Sequence, residues 1–298
     1  MTHFVVTALD ASRSLPLHAL GELIEHSAHR LHAQVAERAE HGTGVRAVLE
    51  SGSTEPARAH AVNLRRSLAQ DAAAAGVRLD LAVQPSDLRR PPRLLVMDMD
   101  STLITIEVID ELARRHGVGA EVAAITERAM RGELDFEASL RARVHKLAGL
   151  PASALDAVAA SLELSPGAAE LIAAMQARGV AVAIASGGFS FAADLLRQRL
   201  GLTAAFSNQL ELSAGALTGR VLGNVVTAER KAEVVHELAA AAGVTPQEAV
   251  AIGDGANDRL MLAAAGFGVA FRAKPALAAV ADATIDHGGL ERVLEMLD

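Results

Sequence analysis

Four short apolar runs constrain this sequence most: RLLVMD (93–98), VAVAIAS (180–186), AVAIGD (249–254) and FGVAF (267–271). None alternates apolar with polar residues, so none suits a strand with one wet face. Continuous runs of this length fit strands buried on both faces of a parallel sheet. Segments with helical spacing separate most of them. In SPGAAELIAAMQARG, Ser165 is the expected N-cap, Pro166 falls in the first turn and Gly179 ends the helix. The expectation is a doubly wound α/β core. Apolar residues make up 51% of the 298 but aromatics only 2%, so Ala, Leu and Val must fill that core.

Residues 1–88 have another rhythm. FVVTAL is strand-like, LHALGELIEHSAHRL has helical spacing, and QVAERAE and VRAVLESG flank the turn signal HGTG. A helical stretch, PARAHAVNLRRSLAQDAAAAG, and a strand, VRLDLAV, complete a βαββαβ order, that of an α+β ferredoxin-like sandwich. PSDLRRPP (85–92) has the composition of a linker. The expected units are therefore a small module over 1–88 and a larger one over 93–298. In the larger one, about 80 residues separate the first two strands, against ~30 for a whole βαβ unit. Most of that surplus, 108–163, is helical in pattern and is expected to form an inserted cap over the C-terminal edge of the first strand. A hairpin is expected over 208–223, turning near Ala214-Gly215.

Composition removes several classes of function. A formal charge of −8 argues against non-specific binding to nucleic acid or an anionic membrane, and the scarcity of aromatics removes base-stacking platforms. With no cysteine there are no disulfides, thiolate metal sites or thiol nucleophile. MTHFVVTALDASRS lacks the pattern of a secretory signal, and no stretch is long and apolar enough to span a bilayer. A soluble, cytoplasmic protein is expected. The eleven histidines show no HxxxH or HExxH spacing and are expected on the surface or in the core.

In open α/β sheets, ligands bind beyond the carboxyl ends of the strands. Here those ends carry Asp98-Met99-Asp100, Ser186-Gly187-Gly188 and Gly253-Asp254-Gly255-Ala256-Asn257-Asp258. No basic residue follows the first pair until Arg114, so nothing near in sequence neutralises it. Carboxylates converging on one edge make a hard, oxygen-rich environment suited to Mg²⁺. Ser-Gly-Gly offers a hydroxyl and backbone N–H groups, an anion cradle. An anion beside clustered carboxylates requires a divalent cation between them, and phosphate is the obvious anion.

Together, DMDSTL, SGG, the lysine of AERKAEVV and GDGANDRLML resemble the four ordered motifs of haloacid dehalogenase superfamily phosphatases, spanning residues 98–262. Each alone is a weak signal; the order makes it strong. The resemblance implies that Asp98 attacks phosphorus to form an aspartyl-phosphate and that Asp100 acts as the acid and then the base. It implies Mg²⁺ held by Asp98, the Asp100 backbone carbonyl and Asp254, with Asp258 supporting the metal site. Ser186, Gly187 and Lys231 are implied to hold phosphoryl oxygens, and Asn257 to help position the phosphate. DSTLITIEVIDELA followed by AMRGELDFEASLRARV is similar to the phosphoserine phosphatase branch, from about Arg93 to the C-terminus. That branch implies Glu107 for the substrate ammonium, Arg143 for its carboxylate, and Met130 and Phe136 as an apolar shield. Hydrolysis of O-phosphoserine, the last step of serine biosynthesis, is the activity this resemblance implies.

Plainer readings exist for each residue. Ser186-Gly187-Gly188 alone is more often a strand-to-helix turn with a Ser cap. Lys231 lies in a charged helical start, where most lysines face solvent, and its assignment rests on its place among the motifs. Glu107 enters a helix, where an acid favours the dipole, and Arg143 has charged neighbours in Arg141 and Lys146. Transfer of the phosphoryl group to another small alcohol, or a silent amino-acid-sensing regulator, are the alternatives, though a silent protein need not retain both Asp98 and Asp100. The order of residues 1–88 resembles amino-acid-binding (ACT-like) regulatory domains, which implies a homodimer formed through it.

Overall fold

The computed structural model describes residues 1–10, 15–41 and 43–298. The first 88 residues form β1 (Thr2–Asp10), α1 (Leu17–Arg30), β2 (Ala33–His41), β3 (Gly44–Ser51), α2 (Ala57–Ala74) and β4 (Leu79–Pro85). The Gly42 of the HGTG turn signal lies outside the described residues. All pairings among these four strands are antiparallel, in the order β2-β3-β1-β4. Helix spacing puts Leu20, Ile24 and Ala28 on one side of α1 and Leu64, Leu68 and Ala72 on one side of α2. Both stripes close over Phe4, Val6, Ala8, Leu49, Leu81 and Val83 as one apolar cluster.

The rest of the chain alternates strands and helices. β5 (Leu94–Met97) is followed by α3 (Val108–His116), α4 (Gly119–Met130), α5 (Phe136–His145), α6 (Ala152–Ala160) and α7 (Ala168–Ala177). Then come β6 (Ala181–Phe189), α8 (Ser190–Leu200), β7 (Ala204–Ser213), β8 (Ala216–Leu222), α9 (Ala228–Ala241) and β9 (Ala249–Gly253). The chain ends with α10 (Arg259–Ala264), β10 (Phe267–Phe271), α11 (Pro275–Ala278), β11 (Ala283–Ile285) and α12 (Arg292–Leu297). Strands β11, β10, β9, β5, β6 and β7 lie side by side in parallel, and β8 pairs antiparallel with β7. Every residue of β5 is buried because successive side chains point to opposite faces and both faces are covered. Leu95 and Met97 join α7, α8 and α12 in one cluster; Leu94 and Val96 join α9 and α10 in another. The β7–β8 turn takes positive φ at Ala214 (51°) and Gly215 (80°), as a two-residue hairpin that follows the strand twist requires.

Helices α3 to α6 form a cap between β5 and β6. Its entry and exit are tied at the neck, where Thr105 N–H donates to Glu163 O and Ser165 N–H to Leu103 O. That tie corrects the expected start of α7. Ser165 is drawn into the neck and does not cap the helix, which begins at Ala168 after Gly167 turns the chain at φ 75°. Ser186-Gly187-Gly188 likewise is not a tight turn. It remains extended within β6 as a bulge, with the β6–β7 register shifting between Ala185 and Phe189.

The two parts of the chain share one sheet. β4 pairs antiparallel with β11, so a single eleven-stranded order runs from β2 to β8. All seven residues of β4 are buried, Asp80 among them. Its carboxylate accepts the backbone N–H groups of Asp286, His287 and Gly288 at 2.8–2.9 Å. Arg65 of α2, 2% exposed, donates to Ala281 O, Ala278 O and Thr284 Oγ1 across the same junction. Residues 1–88 are therefore not attached by a linker alone. Among the described residues, no helix is long and apolar enough to cross a membrane. Because β5 is central, Leu95→Ala should cost about 2–5 kcal/mol, read as a lower urea midpoint with an unchanged slope.

Candidate active site

Asp98 stands immediately beyond β5, at the C-terminal edge of the parallel sheet. It is held from three directions: its N–H donates to Ile252 O at 2.9 Å, its Oδ1 accepts from Met99 N–H at 2.7 Å, and its Oδ2 lies 2.9 Å from Lys231 Nζ. Lys231 is fully buried in the first turn of α9, whose start is capped by Thr227. Its ammonium also reaches Asp258 Oδ1 at 2.6 Å. Burial alone would lower its pKa, but the two aspartates outweigh that and hold it above the usual lysine value. The expectation that most lysines in such a charged helical start face solvent fails here, because this helix begins inside the site.

Asp258 closes the Gly253–Asp258 loop on itself. Its Oδ2 accepts the N–H groups of Asp254 and Gly255 at 3.1 and 3.0 Å. A Cβ at Gly253 would lie 2.4 Å from the Asp258 carboxyl carbon, so only glycine fits there. Asp98, Asp254 and Asp258 each offer an oxygen, all within 4.8 Å of one another. The Asp100 side chain is not part of this set; the expected ligand set of Asp98, the Asp100 backbone carbonyl and Asp254 shares two carboxylates with it, and Asp258 is the third. Asp258 spends its oxygens on Lys231 and two backbone N–H groups, so it braces the cluster, while Asp98 and Asp254 fit a hard cation best. Crowding among these acids has a measurable cost: burial, then Asp98 and Asp258, push Asp254 up to about 7. Burial also pushes Asp258 up to about 6, against the pull of Lys231.

Asp100 sits in the opposite environment. Among the described residues it has no ion-pair partner, its buried Oδ1 makes no hydrogen bond, and burial followed by the charges of Glu107 and Asp98 raises its pKa well above the carboxylate range. A buried oxygen without a partner is costly for a carboxylate and tolerable for a protonated acid. The backbone makes this possible by a tight turn over Met99–Leu103, in which Ser101 adopts φ 56°. Ser101 Oγ then donates to Glu107 Oε1 at 2.7 Å. Burial raises the Glu107 pKa as well, partly offset by that hydrogen bond.

The remaining expected residues divide. Ser186 is buried and accepts Gly188 N–H at 2.9 Å; Gly187 is half-buried. Phe136 lies on Gly187 so closely that a Cβ there would be 2.7 Å from its ring. Asn257 folds back over Gly255, its Oδ1 occupying the space a Cβ would need. Arg143 is half-buried on α5, its Nε unpaired; burial lowers its pKa while Asp110, Glu107 and Asp100 oppose the shift. Met130 is a correction. It ends α4 at 73% exposure and shields nothing here, because Glu133 pairs with both Arg128 and Arg131 and holds the following turn out in solvent. Sequence reasoning missed Ser101, Asp110, Lys274, whose charge faces Glu107 and Asp254, and Asn208. Asn208, buried in β7, donates to Gly187 O and accepts Val226 N–H, both at 2.8 Å. A lone Asn in AAFSNQLELS was its only trace.

Chemically, the site sets an aspartate paired with a buried lysine two residues from one whose burial favours its protonated form. Around them lie an acidic cluster that could hold a metal ion, the Ser186 hydroxyl, and Glu107 and Arg143 at the cap. A profile of the haloacid dehalogenase-like hydrolases matches residues 92–266, and the chain belongs to that family. It is 46% identical over 238 residues to a phosphoserine phosphatase of Archaeoglobus fulgidus, covering 80% of this chain and 69% of that protein. It is 49% identical over 256 residues to one of Streptomyces coelicolor, covering 86% of this chain and 60% of that protein. A crystal structure described as that of a probable phosphoserine phosphatase from Vibrio cholerae, unliganded, superposes with a TM-score of 0.75 at 40% identity, over 99% of this chain and 86% of that one.

The acid cluster makes a prediction about stability. The folded pKa of Asp254, about 7, lies above the ordinary 3.8. Its protonated form therefore stabilises the fold fully below the unfolded value, and that contribution is lost as pH rises through 7. Without a cation, Tm should fall between pH 5 and pH 8, and a divalent cation should raise Tm more at pH 8 than at pH 5. An equal cation effect at both values would contradict this.

Proposed function

We propose that this chain is a Mg²⁺-dependent phosphoserine phosphatase that releases serine and inorganic phosphate through an aspartyl-phosphate on Asp98. The observation that carries the reading is the contrast between neighbouring acids: Asp98 is paired with Lys231, whereas buried Asp100 has no ion-pair partner among the described residues. Two carboxyl groups whose environments drive their protonation apart are suited to different jobs. Asp98 attacks phosphorus as the bond to the seryl oxygen breaks, and Asp100 gives its proton to that oxygen. Asp100 then takes a proton from water, which attacks phosphorus and frees Asp98.

Lys231 pairs with Asp98 and faces the phosphoryl group, joined by Ser186, the Gly187 N–H and Asn257. Bound by Asp98, Asp254 and the Asp100 carbonyl, Mg²⁺ would supply positive charge to offset the charge on the phosphoryl oxygens. Glu107 suits the substrate ammonium and Arg143 its carboxylate, to which a planar guanidinium can bind in two places. Phe136, already on Gly187, excludes water from above, and Met130 would have to turn inward to join it.

The same proposal places the phosphatase in the cytoplasm, at the last step of serine biosynthesis. Residues 93–298 would be the phosphatase core, with 108–163 its cap. Residues 1–88 would be a ferredoxin-like, ACT-like domain, which the β2-β3-β1-β4 order supports. A homodimer through that domain would be overturned if the full chain sediments at its single-chain mass of 30.9 kDa.

Asp98→Asn should cut phosphate release from phosphoserine at least about 1000-fold, with no phosphoenzyme trapped by acid quench; parental rates would sink the mechanism. Arg143→Ala should raise KM for phosphoserine roughly 10- to 100-fold, the worth of charge-assisted hydrogen bonds. Because the Asp100 proton is needed, kcat should fall as pH rises through its raised pKa. The Asp100→Asn variant should lack that alkaline limb in whatever activity remains.

A further inference from the structure

Arg58 is the second residue of α2, in the first 88 residues, and its guanidinium reaches into the phosphatase core. Nε donates to Asp282 Oδ1 at 2.9 Å and Nη2 to Asp282 Oδ2 at 2.6 Å. Nη2 also donates to Leu262 O at 3.1 Å, and Nη1 to Ala265 O at 3.0 Å and Ala263 O at 3.3 Å. All five donors of the group are thereby engaged. Asp282, whose side chain is 3% exposed, is held from the other side by Gly268 N–H at 2.7 Å.

Leu262 and Ala263 lie in the last turn of α10, and Ala265 is the residue after the helix. A helix ends with carbonyls that have no intrahelical donor, and here a side chain some 200 positions earlier in sequence supplies them. The other end of α10 begins directly after Asp258, the residue that binds Lys231 and the N–H groups of Asp254 and Gly255. α10 is only six residues long, about 9 Å. A helix this short passes a displacement at one end straight to the other.

We propose that Arg58 is a positioning residue for the acidic site: by gripping the end of α10 it sets the Asp254–Asp258 loop in place against Asp98 and Lys231. The proposal rests on the reading that Asp98 and Asp254 hold a divalent cation. Arg65 serves as the control. It sits two helical turns along α2 and ties the same two parts together, but through Ala278, Ala281 and Thr284, not through α10.

The test uses the full chain and Mn²⁺, titrated by electron paramagnetic resonance without substrate, beside phosphate release from phosphoserine with Mg²⁺. Arg58→Met should weaken Mn²⁺ binding at least about fivefold and lower kcat about tenfold, the usual scale for groups that orient metal ligands. KM for phosphoserine should stay within about twofold, because Glu107 and Arg143 are untouched. Arg65→Met should lower Tm yet leave Mn²⁺ affinity within about twofold. Arg58→Lys, which can keep Asp282 but not all three carbonyls, should fall between. A folded Arg58→Met with parental Mn²⁺ affinity overturns the proposal. If that variant does not fold, Arg58→Lys decides, and parental affinity and kcat there overturn it. A parent chain that binds Mn²⁺ without hydrolysing phosphoserine would sink the phosphatase reading, while the titrations would still judge Arg58.

Discussion

The buried ammonium of Lys231 is the interaction on which the rest depends. A fully buried charge is tolerated only when paired and hydrogen-bonded, and this one joins Asp98 at the end of β5 to Asp258 at the start of α10. Much local structure serves that junction. Thr227 starts α9 at the point that brings Lys231 under the sheet edge. Gly253 has no side chain because the Asp258 carboxyl occupies the space, and Asp258 in turn holds the Asp254 and Gly255 amides. Removing the ammonium would leave two aspartates facing each other in a dry site, with Asp254 as a third.

That site is built on a sheet wider than its own chemistry needs. β4 covers the edge of β11, and the junction is unusually polar for a buried one: Asp80 holds three amides, Arg65 three acceptors and Arg58 five. Directional contacts of this kind fix geometry where apolar contact alone would allow sliding. The first 88 residues are thus mechanically continuous with the strands that present the acids.

The cap is held differently. Its neck is pinned by backbone bonds between 103–105 and 163–165, and the β7–β8 hairpin bonds to its α5–α6 turn, with Gly149 N–H donating to Leu217 O and Leu217 N–H to Leu150 O. The α4–α5 turn closes on its own backbone bonds and the Asp135 cap of α5, and its side-chain ties are surface ion pairs, which are individually weak. Phe136 and Met130 lie on either side of that turn, one against Gly187 and the other in solvent.

The sequence by itself determined most of the elements and the residues gathered at the sheet edge. Continuous apolar runs are diagnostic of strands covered on both faces, and acids at their ends must gather because a parallel sheet brings all its carboxyl ends to one edge. Asp98, Asp100, Asp254, Ser186 and Lys231 were legible on those grounds and on their order. Only the tertiary structure decided which acids cluster and how the first 88 residues attach. Asp258, not the Asp100 side chain, completes the carboxylate set, because a turn at Ser101 sends Asp100 toward Val108 and Glu107. Arg58 in PARAHAV looks like any solvent-facing helix residue, and Asn208 like any strand polar. Their partners lie 204–224 and 18–21 positions away. Local periodicity carries no information about contacts that exist only once the sheet has closed.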